Sequence, residues 1–395
     1  MISLVIPTYE EAEVIETALQ RAAAALRETG EDFELIVVDD SPGDVTAERA
    51  LSLASELPVR VLRRPGQRGL ATAVVKGWAT ARGDILGVMD ADLQHPPEVL
   101  PALVKALRNN DIDVAIGSRH VPGGGSRYWS VARRAVSWFT AHLAACALPW
   151  TLAGVHDPMS GMFLVRSRAL ADVELRPLGY KILLEVLGRG HWHGLAEVPY
   201  AFNPRRQGTS KLGLRQSAEY LWHLVRLARA TGQLHAWLRY AVVGLGGAVI
   251  DVALFWLLVN DGGWRPVIAL PVAIEGALLS NFAWNQAITF RRASGASSQR
   301  SQSLLGTLFR YERVCVVGAI CNFLTTTVLF SRGLGLLPSA SIGVLASGLW
   351  NLIFNVPRIW QAWSAPLSPP PADRTPAVER NQPRPIGEKV NFGNR

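Results

Sequence analysis

Residues 83–98, GDILGVMDADLQHPPE, decide how the first half of this 395-residue chain is read. The apolar run GDILGVMD predicts a buried strand, and the acids Asp90 and Asp92 stand at its end, one residue apart. Alternate residues of an extended segment share a face, so both carboxylates project to one side. There they repel each other unless a cation sits between them. Gln94 adds a neutral oxygen on the same side, and His95-Pro96-Pro97 stiffens the exit into a helix that opens at proline. A hard divalent ion held by these oxygens, with substrate phosphates completing its shell, satisfies the charges. The chemistry expected is the handling of a nucleotide diphosphate. Acid-x-acid pairs also occur in exposed turns, where aspartates bond the local backbone. Gln94 and the two prolines favour the metal.

Outward from this stretch, apolar strands alternate with helical patterns from residue 1 to about 118. The series runs SLVIPT, a helix over 11–28, FELIVVDD, a helix over 44–55, VRVLRR, a helix over 69–82, DILGVMD, a helix over 97–108, and DVAIGSR. Such a βαβ series predicts a mostly parallel sheet with ligands beyond the carboxyl ends of its strands. Polar residues gather at those ends: Pro7 to Glu11, Asp39 and Asp40, Asp90 to Gln94, and Gly117 to Arg119.

The composition is 49% apolar and 18% charged, and the apolar excess lies after residue 235. Four segments there, about 240–259, 266–288, 314–330 and 334–356, each approach the ~20 residues that cross hydrocarbon. A net charge of +8 suits either nucleic acid or anionic lipid headgroups, and the apolar segments favour the lipid. The N-terminus reads as a first strand rather than a secretory signal, which places the first domain in the cytoplasm. Arg226, Arg229 and Arg239 flank the first apolar segment, and Arg291, Arg292, Arg300, Arg310 and Arg313 fill the loop between the second and third. The opposite loops carry only Arg265 and Arg332, so both termini are expected on the cytoplasmic side. Residues 127–150 and 212–233 mix arginine with Trp, Phe and Leu and read as helices lying along the membrane surface.

The membrane part repeats itself. Arg239, Val242, Val243 and Gly244 recur 74 positions later as Arg313, Val316, Val317 and Gly318, and NFAWN at 281–285 recurs as NLIFN at 351–355. Two hairpins of one orientation are expected. Asp251 and Glu275 fall inside the apolar segments, where ionisable groups face a bundle interior or sit near a helix end. The asparagines Asn281, Asn285, Asn322, Asn351 and Asn355 suit hydrogen bonds between helices. Cys146, Cys315 and Cys321 lie in apolar stretches and read as packed thiols, with no disulfide expected. The expected division is a catalytic domain over 1–211, an amphipathic linker over 212–235, a four-helix membrane domain over 236–363, and a proline-rich disordered tail over 364–395.

With VIPTYEE, VVDD, GLATAVVKG, MDADLQHPPE, IGSR, DPMSGMF, GYKILLE and PYAFNPRRQGTSKL in this order, residues 1 to about 235 resemble the dolichol-phosphate mannosyltransferase branch of the family 2 glycosyltransferases. The resemblance implies an α/β GT-A fold, Rossmann-like with a mostly parallel sheet. It implies that Pro7, Tyr9, Glu11 and Asp39 hold the nucleoside, that Asp90, Ala91, Asp92 and Lys211 meet the nucleotide sugar, and that Asp90, Asp92 and Gln94 hold Mg2+ or Mn2+. Arg119, Arg133 and Ser137 would hold the acceptor phosphate, with Arg205 closing beside Lys211, and Asp92 and Arg119 would serve the reaction itself. Two departures bear on base recognition: Glu10 stands where the family usually has Asn, and SPGDVT at 41–46 is an unusual loop after the paired aspartates. Residues 236–360 resemble GtrA-like proteins through RYAVVG, NFAWNQAITF, VCVVG and NLIFN, a family associated with lipid-linked sugars and sometimes proposed to carry them across the bilayer.

A lipid phosphate attacking a nucleotide sugar brings two anions together, which costs about 4 kcal/mol per pair of unit charges at 4 Å in a medium of dielectric 20. Cations must offset this. A phosphate monoester is already largely dianionic at neutral pH, so no strong general base is required. In-line attack on an α-linked donor inverts the anomeric carbon. The expected activity is transfer of mannose from GDP-mannose to a polyprenyl (dolichyl) phosphate at the cytoplasmic membrane face. Alternatives are a UDP-glucose or UDP-N-acetylglucosamine donor, a lipid-sugar transporter with an inactive first domain, and a processive synthase, whose QxxRW motif is absent. Arg133 and Arg134 also fit as headgroup anchors, Arg205 and Lys211 as a solvated loop, and Asp157 as the start of a turn or a support for the site.

Overall fold

The computed structural model describes residues 1–126, 129–203, 214–289 and 304–351. They fall into two compact units, one of Met1–Ala144 with Gly154–Ala230, the other of Ala145–Ala153 with the residues from Thr231. The first unit is built on a seven-stranded sheet of β1 (Ile2–Thr8), β2 (Phe33–Asp39), β3 (Val59–Arg63), β4 (Ile85–Val88), β5 (Val114–Ser118), β6 (Phe163–Arg166) and β7 (Leu195–Pro199). The spatial order is β3-β2-β1-β4-β6-β5-β7, and every pair is parallel except those of β6 with β4 and β5. This is a GT-A-like α/β unit. The expected helices are present as α1 (Ile15–Arg27), α2 (Val45–Ser52), α3 (Leu70–Trp78) and α4 (Leu100–Leu107), the last entered through a 3-10 turn at Pro97–Val99.

β1 is buried along its whole length, as an inner parallel strand covered on both faces must be. Ile2, Leu4 and Ile6 pack with Leu19 and Leu26 of α1 and Leu100 and Leu103 of α4. The register pairs Thr8 with Asp39 and Val5 with Val88, so the ends of β1, β2 and β4 open on one edge of the sheet. That edge carries the acids.

Three further elements lie beyond the expected series: β6, β7 and α6 (Ile182–Arg189). α5 (Val131–Ala147) and α7 (Leu214–Ala230) match the two amphipathic stretches. Within the first unit, Tyr220 of α7 donates to the carbonyl of Thr140 on α5 (2.7 Å), and His223 of α7 meets buried Glu185 of α6 (2.8 Å). Leu224 and Leu227 turn inward, while Leu221, Trp222 and Val225 of α7 and Val136, Trp138 and Phe139 of α5 remain exposed. Exposed aromatic and aliphatic faces of this kind suit a membrane surface.

The second unit contains α8 (Gln233–Asn260), α9 (Pro266–Trp284), α10 (Leu304–Ser331) and α11 (Leu336–Trp350), and α9 continues through a π turn at Asn285–Thr289. Three stretches, Gln233–Asn260, Pro266–Thr289 and Leu305–Ser331, are long and apolar enough to cross a membrane. The fourth expected segment, 334–356, runs past Asn351, the last described residue, and α11 has 15 residues. α8 packs on α9 and α11, and α10 packs on α11 and α9.

The repeat register departs from the 74-residue letter match of α8 with α10 and agrees with the match of NFAWN to NLIFN, which pairs Asn281 with Asn351. α8 and α10 end at Asn260 and Ser331, which are 71 positions apart rather than 74. A side chain at Gly247 would strike the amide of Asn281, and one at Gly318 the amide of Asn351, so these two close approaches define equivalent positions. Apolar letters match well enough three residues out of step, but the face that packs is set by glycine against asparagine. Asp251 of α8 and Asn322 of α10 are equivalent in this register, and they meet: Asn322 Nδ2 donates to Asp251 Oδ2 at 2.6 Å. Thr326 Oγ1 stands 3.0 Å from Asn322 Oδ1 and 3.4 Å from the carbonyl of Ser339. Glu275 turns neither inward nor toward a helix end and is exposed in the middle of α9. Asn355 lies outside the described residues. Cys146, Cys315 and Cys321 are free thiols, the first two buried.

Candidate active site

The acidic pair does not lie on an extended segment as expected. β4 ends at Val88 and the chain turns, with Leu93 forced to a left-handed φ of 57°, a conformation that a branched side chain rarely adopts. The turn is fastened from both sides. The Gln94 N–H donates to Asp92 Oδ1 (3.1 Å), the Asn203 N–H donates to the Gln94 carbonyl (2.9 Å), and Gln94 Nε2 donates to the Asn203 carbonyl (3.4 Å). Asp90 Oδ1 is buried with no hydrogen-bond partner. Burial, then the neighbouring Asp92 charge, push the Asp90 carboxyl up to about 7, with Glu11 adding to the push. A carboxylate crowded by like charge, with an orphaned oxygen, is what a cation would relieve.

Among the described residues no cluster of three or more His, Cys, Asp or Glu offers a metal site. Two carboxylates and one amide, Asp90, Asp92 and Gln94, are the group that fits a hard divalent ion; such a set keeps positions open for phosphate oxygens.

The β1 and β2 ends form the next part. Asp39 Oδ1 accepts from Thr8 Oγ1 (2.9 Å) and Ser41 Oγ (2.6 Å), while Oδ2 is buried without a partner. Asp39 therefore has one carboxylate oxygen left to accept a further hydrogen bond. Asp40 is spoken for: Arg64 grips it through Nε (2.8 Å) and Nη2 (2.6 Å), and the Gly69 N–H adds a third bond (2.9 Å). That pair ties β2 to the loop entering α3. Pro7 is buried at the end of β1, and Tyr9 lies under the Arg68 guanidinium, 4.2 Å from its ring centre. Glu10 has a φ of 58° and its N–H donates to Ser41 Oγ at 2.7 Å. The left-handed backbone explains why asparagine suits this position, and the unusual loop supplies the serine that fastens it. Ala91 is buried in the core beneath the turn.

Arg119, at the end of β5, is bound by Asp157 through Nε (2.7 Å), Nη2 (2.7 Å) and its own backbone N–H (3.0 Å). Asp157 is fully buried, and burial alone would raise its pKa, but the Arg119 hydrogen bonds and charge hold it below the ordinary value. Asp157 thus positions Arg119 and does more than begin a turn. The guanidinium keeps further N–H donors for a phosphate. Trp129 meets both Arg119 and Arg133, whose guanidinium carbons stand 5.3 Å and 4.4 Å from its ring centre. Ser137 is one helical turn beyond Arg133 on α5 and shares its face. Arg134 is exposed. Arg205 and Lys211 lie outside the described residues.

Three neighbours had no distinct signal in the sequence. Lys181, just before α6, donates from Nζ to the Met159 carbonyl (3.1 Å). Burial, then Arg119, pull its pKa down to about 8, while Asp157 and Asp90 pull the other way. His95 is buried beside Tyr200 and Phe202, its ring centre 5.5 and 5.2 Å from theirs. Burial, then Arg119, bring its pKa down to about 3, so the imidazole is neutral. Trp129 is the third. Lys181 was hidden in GYKILLE and His95 in the proline exit, and only the tertiary fold joins them to the acidic turn.

Residues 3–173 match the family described as Glycosyl transferase family 2, and residues 239–360 match the GtrA/DPMS, transmembrane domain family. The chain is 38% identical over 359 residues to the dolichol-phosphate mannosyltransferase of Pyrococcus furiosus, covering 91% of this chain and 99% of that protein. It is 37% identical over 236 residues to the dolichol-phosphate mannosyltransferase of Saccharomyces cerevisiae, covering 57% and 86%. It is 36% identical over 219 residues to the undecaprenyl-phosphate mannosyltransferase of Micrococcus luteus, covering 53% and 86%. With the acidic turn, the paired arginines and an apolar helical unit in one chain, these matches place the protein in the dolichol-phosphate mannosyltransferase family, a family 2 glycosyltransferase joined to a GtrA/DPMS transmembrane domain.

Proposed function

We propose that the protein transfers mannose from GDP-mannose to a polyprenyl phosphate at the membrane surface, with inversion at the anomeric carbon and with Mg2+ or Mn2+ in the Asp90, Asp92 and Gln94 turn. The observation that carries this reading is the buried, unpartnered Oδ1 of Asp90 beside Asp92. The relatives' names support a polyprenyl phosphate acceptor and mannose as the sugar.

When bound, the ion neutralises charge on the leaving diphosphate. The rest falls to the chain's own residues. Pro7, Tyr9, Glu11 and Asp39 shape the nucleoside pocket, and the open Oδ2 of Asp39 accepts from a ligand hydroxyl. Arg119 is held rigid by Asp157 and presents its remaining N–H groups to the acceptor phosphate. Arg133 and Ser137 reach the same anion from α5; by the family resemblance Arg205 joins them on the acceptor phosphate, and Ala91 and Lys211 serve the nucleotide sugar. The acceptor attacks as the dianion, so no residue need take a proton. The exposed faces of α5 and α7 lie on the lipid headgroups, the division falls at 1–211, 212–235, 236–363 and 364–395, and four helices anchor the chain with both termini cytoplasmic.

Membranes holding the protein, given labelled GDP-mannose, UDP-glucose or UDP-N-acetylglucosamine in separate tubes, test this reading. Labelled lipid is expected from GDP-mannose alone, lost with chelator and restored by Mn2+. Label from a UDP-sugar alone overturns the donor assignment, and synthesis indifferent to chelator overturns the metal.

A further inference from the structure

We propose that His95 is a positioning residue for the divalent ion: its Nδ1–H is donated to Oδ2 of Asp90, which leaves Oδ1 of that carboxylate to face the cation. The inference rests on the metal reading above. Four observations carry it. His95 is 4% exposed, and both its ring nitrogens lack a hydrogen-bond partner. Nδ1 stands 3.6 Å from Asp90 Oδ2, just outside hydrogen-bonding range. Asp90 Oδ1, the other oxygen, is itself buried and unpartnered. A side chain at Gly161 would come within 2.5 Å of Asp90 Oδ2 and 3.0 Å of His95 Cε1, so the glycine is the floor on which acid and imidazole meet.

The energetics argue against a merely space-filling ring. Tyr200 and Phe202 form an aromatic box around His95. Phenylalanine would fill that box without burying two unpaired ring nitrogens, each of which costs about 1–3 kcal/mol. A ring N–H beside Oδ2 is the return on that cost. Carboxylates that bind metals are oriented by hydrogen bonds from behind, and losing such a partner lowers metal affinity about 10- to 100-fold. Glu11, Asp92, Lys181 and Arg119 also bear on Asp90 electrostatically. His95 adds to these a directional contact, its Nδ1 standing 3.6 Å from Oδ2 of the carboxylate.

The test uses the full chain in detergent, with Mn2+ affinity read from the paramagnetic resonance of the free ion. GDP affinity without metal serves as the control for folding of the pocket. His95→Phe and His95→Gln are expected to weaken Mn2+ binding at least tenfold, because neither places an N–H where Nδ1 stands. His95→Asn, whose amide reaches that place, is expected to keep most of the affinity, and GDP binding is expected to hold in all three. Equal Mn2+ affinity in wild type, His95→Phe and His95→Gln overturns the inference, as does equal weakening in His95→Asn and His95→Gln. If His95→Phe does not fold, the Asn and Gln pair alone decides. Wild-type protein that binds no Mn2+ overturns the metal reading beneath it, a result distinct from either.

Discussion

Asp90 in the α/β unit and Asp251 in the helical unit are both aspartates drawn largely out of water, and the chain treats them in opposite ways. Asp251 receives the Asn322 amide at 2.6 Å, and Asn322 is met in turn by Thr326, so the acid is absorbed into packing between repeats. Asp90 has another acid beside it, an orphaned oxygen, and an imidazole held just short of bonding. A buried charge left unpaired is expensive, and a fold that leaves one unpaired beside a second charge of the same sign has kept room for a ligand. The difference separates a carboxylate that holds the protein together from one that waits for a cation.

The comparison breaks first at Asp90. Asp90→Asn and Asp92→Asn each remove a charge the ion needs, and turnover is expected to fall about a thousand-fold, the upper range for losing one electrostatic stabiliser of a transition state. Thermal stability should hold or rise, because neutralising either acid relieves their repulsion. The check is lipid-mannose synthesis beside a melting curve. A variant that melts lower and turns over normally would make Asp90 another Asp251.

Asp157 tests the comparison from the cation side. Asp157→Asn keeps the shape but loses the charge that fixes Arg119, and kcat/KM is expected to fall about a hundred-fold, the scale of misplacing a substrate-binding group by about 1 Å. Its signature lies in acid. The Asp157 pKa is lowered on folding, so its contribution to stability is fully present above the ordinary value of 3.8 and is lost as pH falls through the lower folded value. Wild-type stability should therefore drop below pH 3.8 with a component missing from Asp157→Asn, as chemical denaturation across that range would reveal. Parallel curves would mean the pair is not what fastens Arg119.

What the sequence made legible follows from how locally each feature is encoded. The βαβ alternation and the acid-x-acid turn are written in contiguous residues, and β1 to β5 stand on the apolar runs. β6 escaped because FLVR is four residues long and enters the sheet antiparallel between β4 and β5, after a long excursion through α5. The partner of Arg119 lies 38 positions away, beyond any spacing rule, and was legible only as an acid before a proline. Lys181 and His95 gain meaning only where α6 and the 157–161 segment meet the turn. In the helical unit the repeat was visible and its step was right for Asn281 and Asn351, but the apolar letters of α8 and α10 tolerated a three-residue slip that the contacts of Gly247 with Asn281 and Gly318 with Asn351 do not.

The smallest effect is expected at Asp251. Asn322→Leu strands the carboxylate without its donor and should destabilise the helical unit by about 1–2 kcal/mol, the scale of hydrogen bonds between membrane helices. Asp251→Asn keeps an amide able to pair with Asn322 and should cost less. Neither is expected to change turnover per folded molecule with a detergent-soluble acceptor, because Asp251 is satisfied by its own protein and nothing at the acidic turn depends on its charge. Thermal melting in detergent and single-turnover mannosyl transfer, measured on the same preparation, sharpen the point. Should Asp251→Asn melt like wild type yet lose transfer, pairing within the fold would no longer mark an acid as structural. Asp251 would then have to be read, like Asp90, as a group whose charge meets something the protein handles.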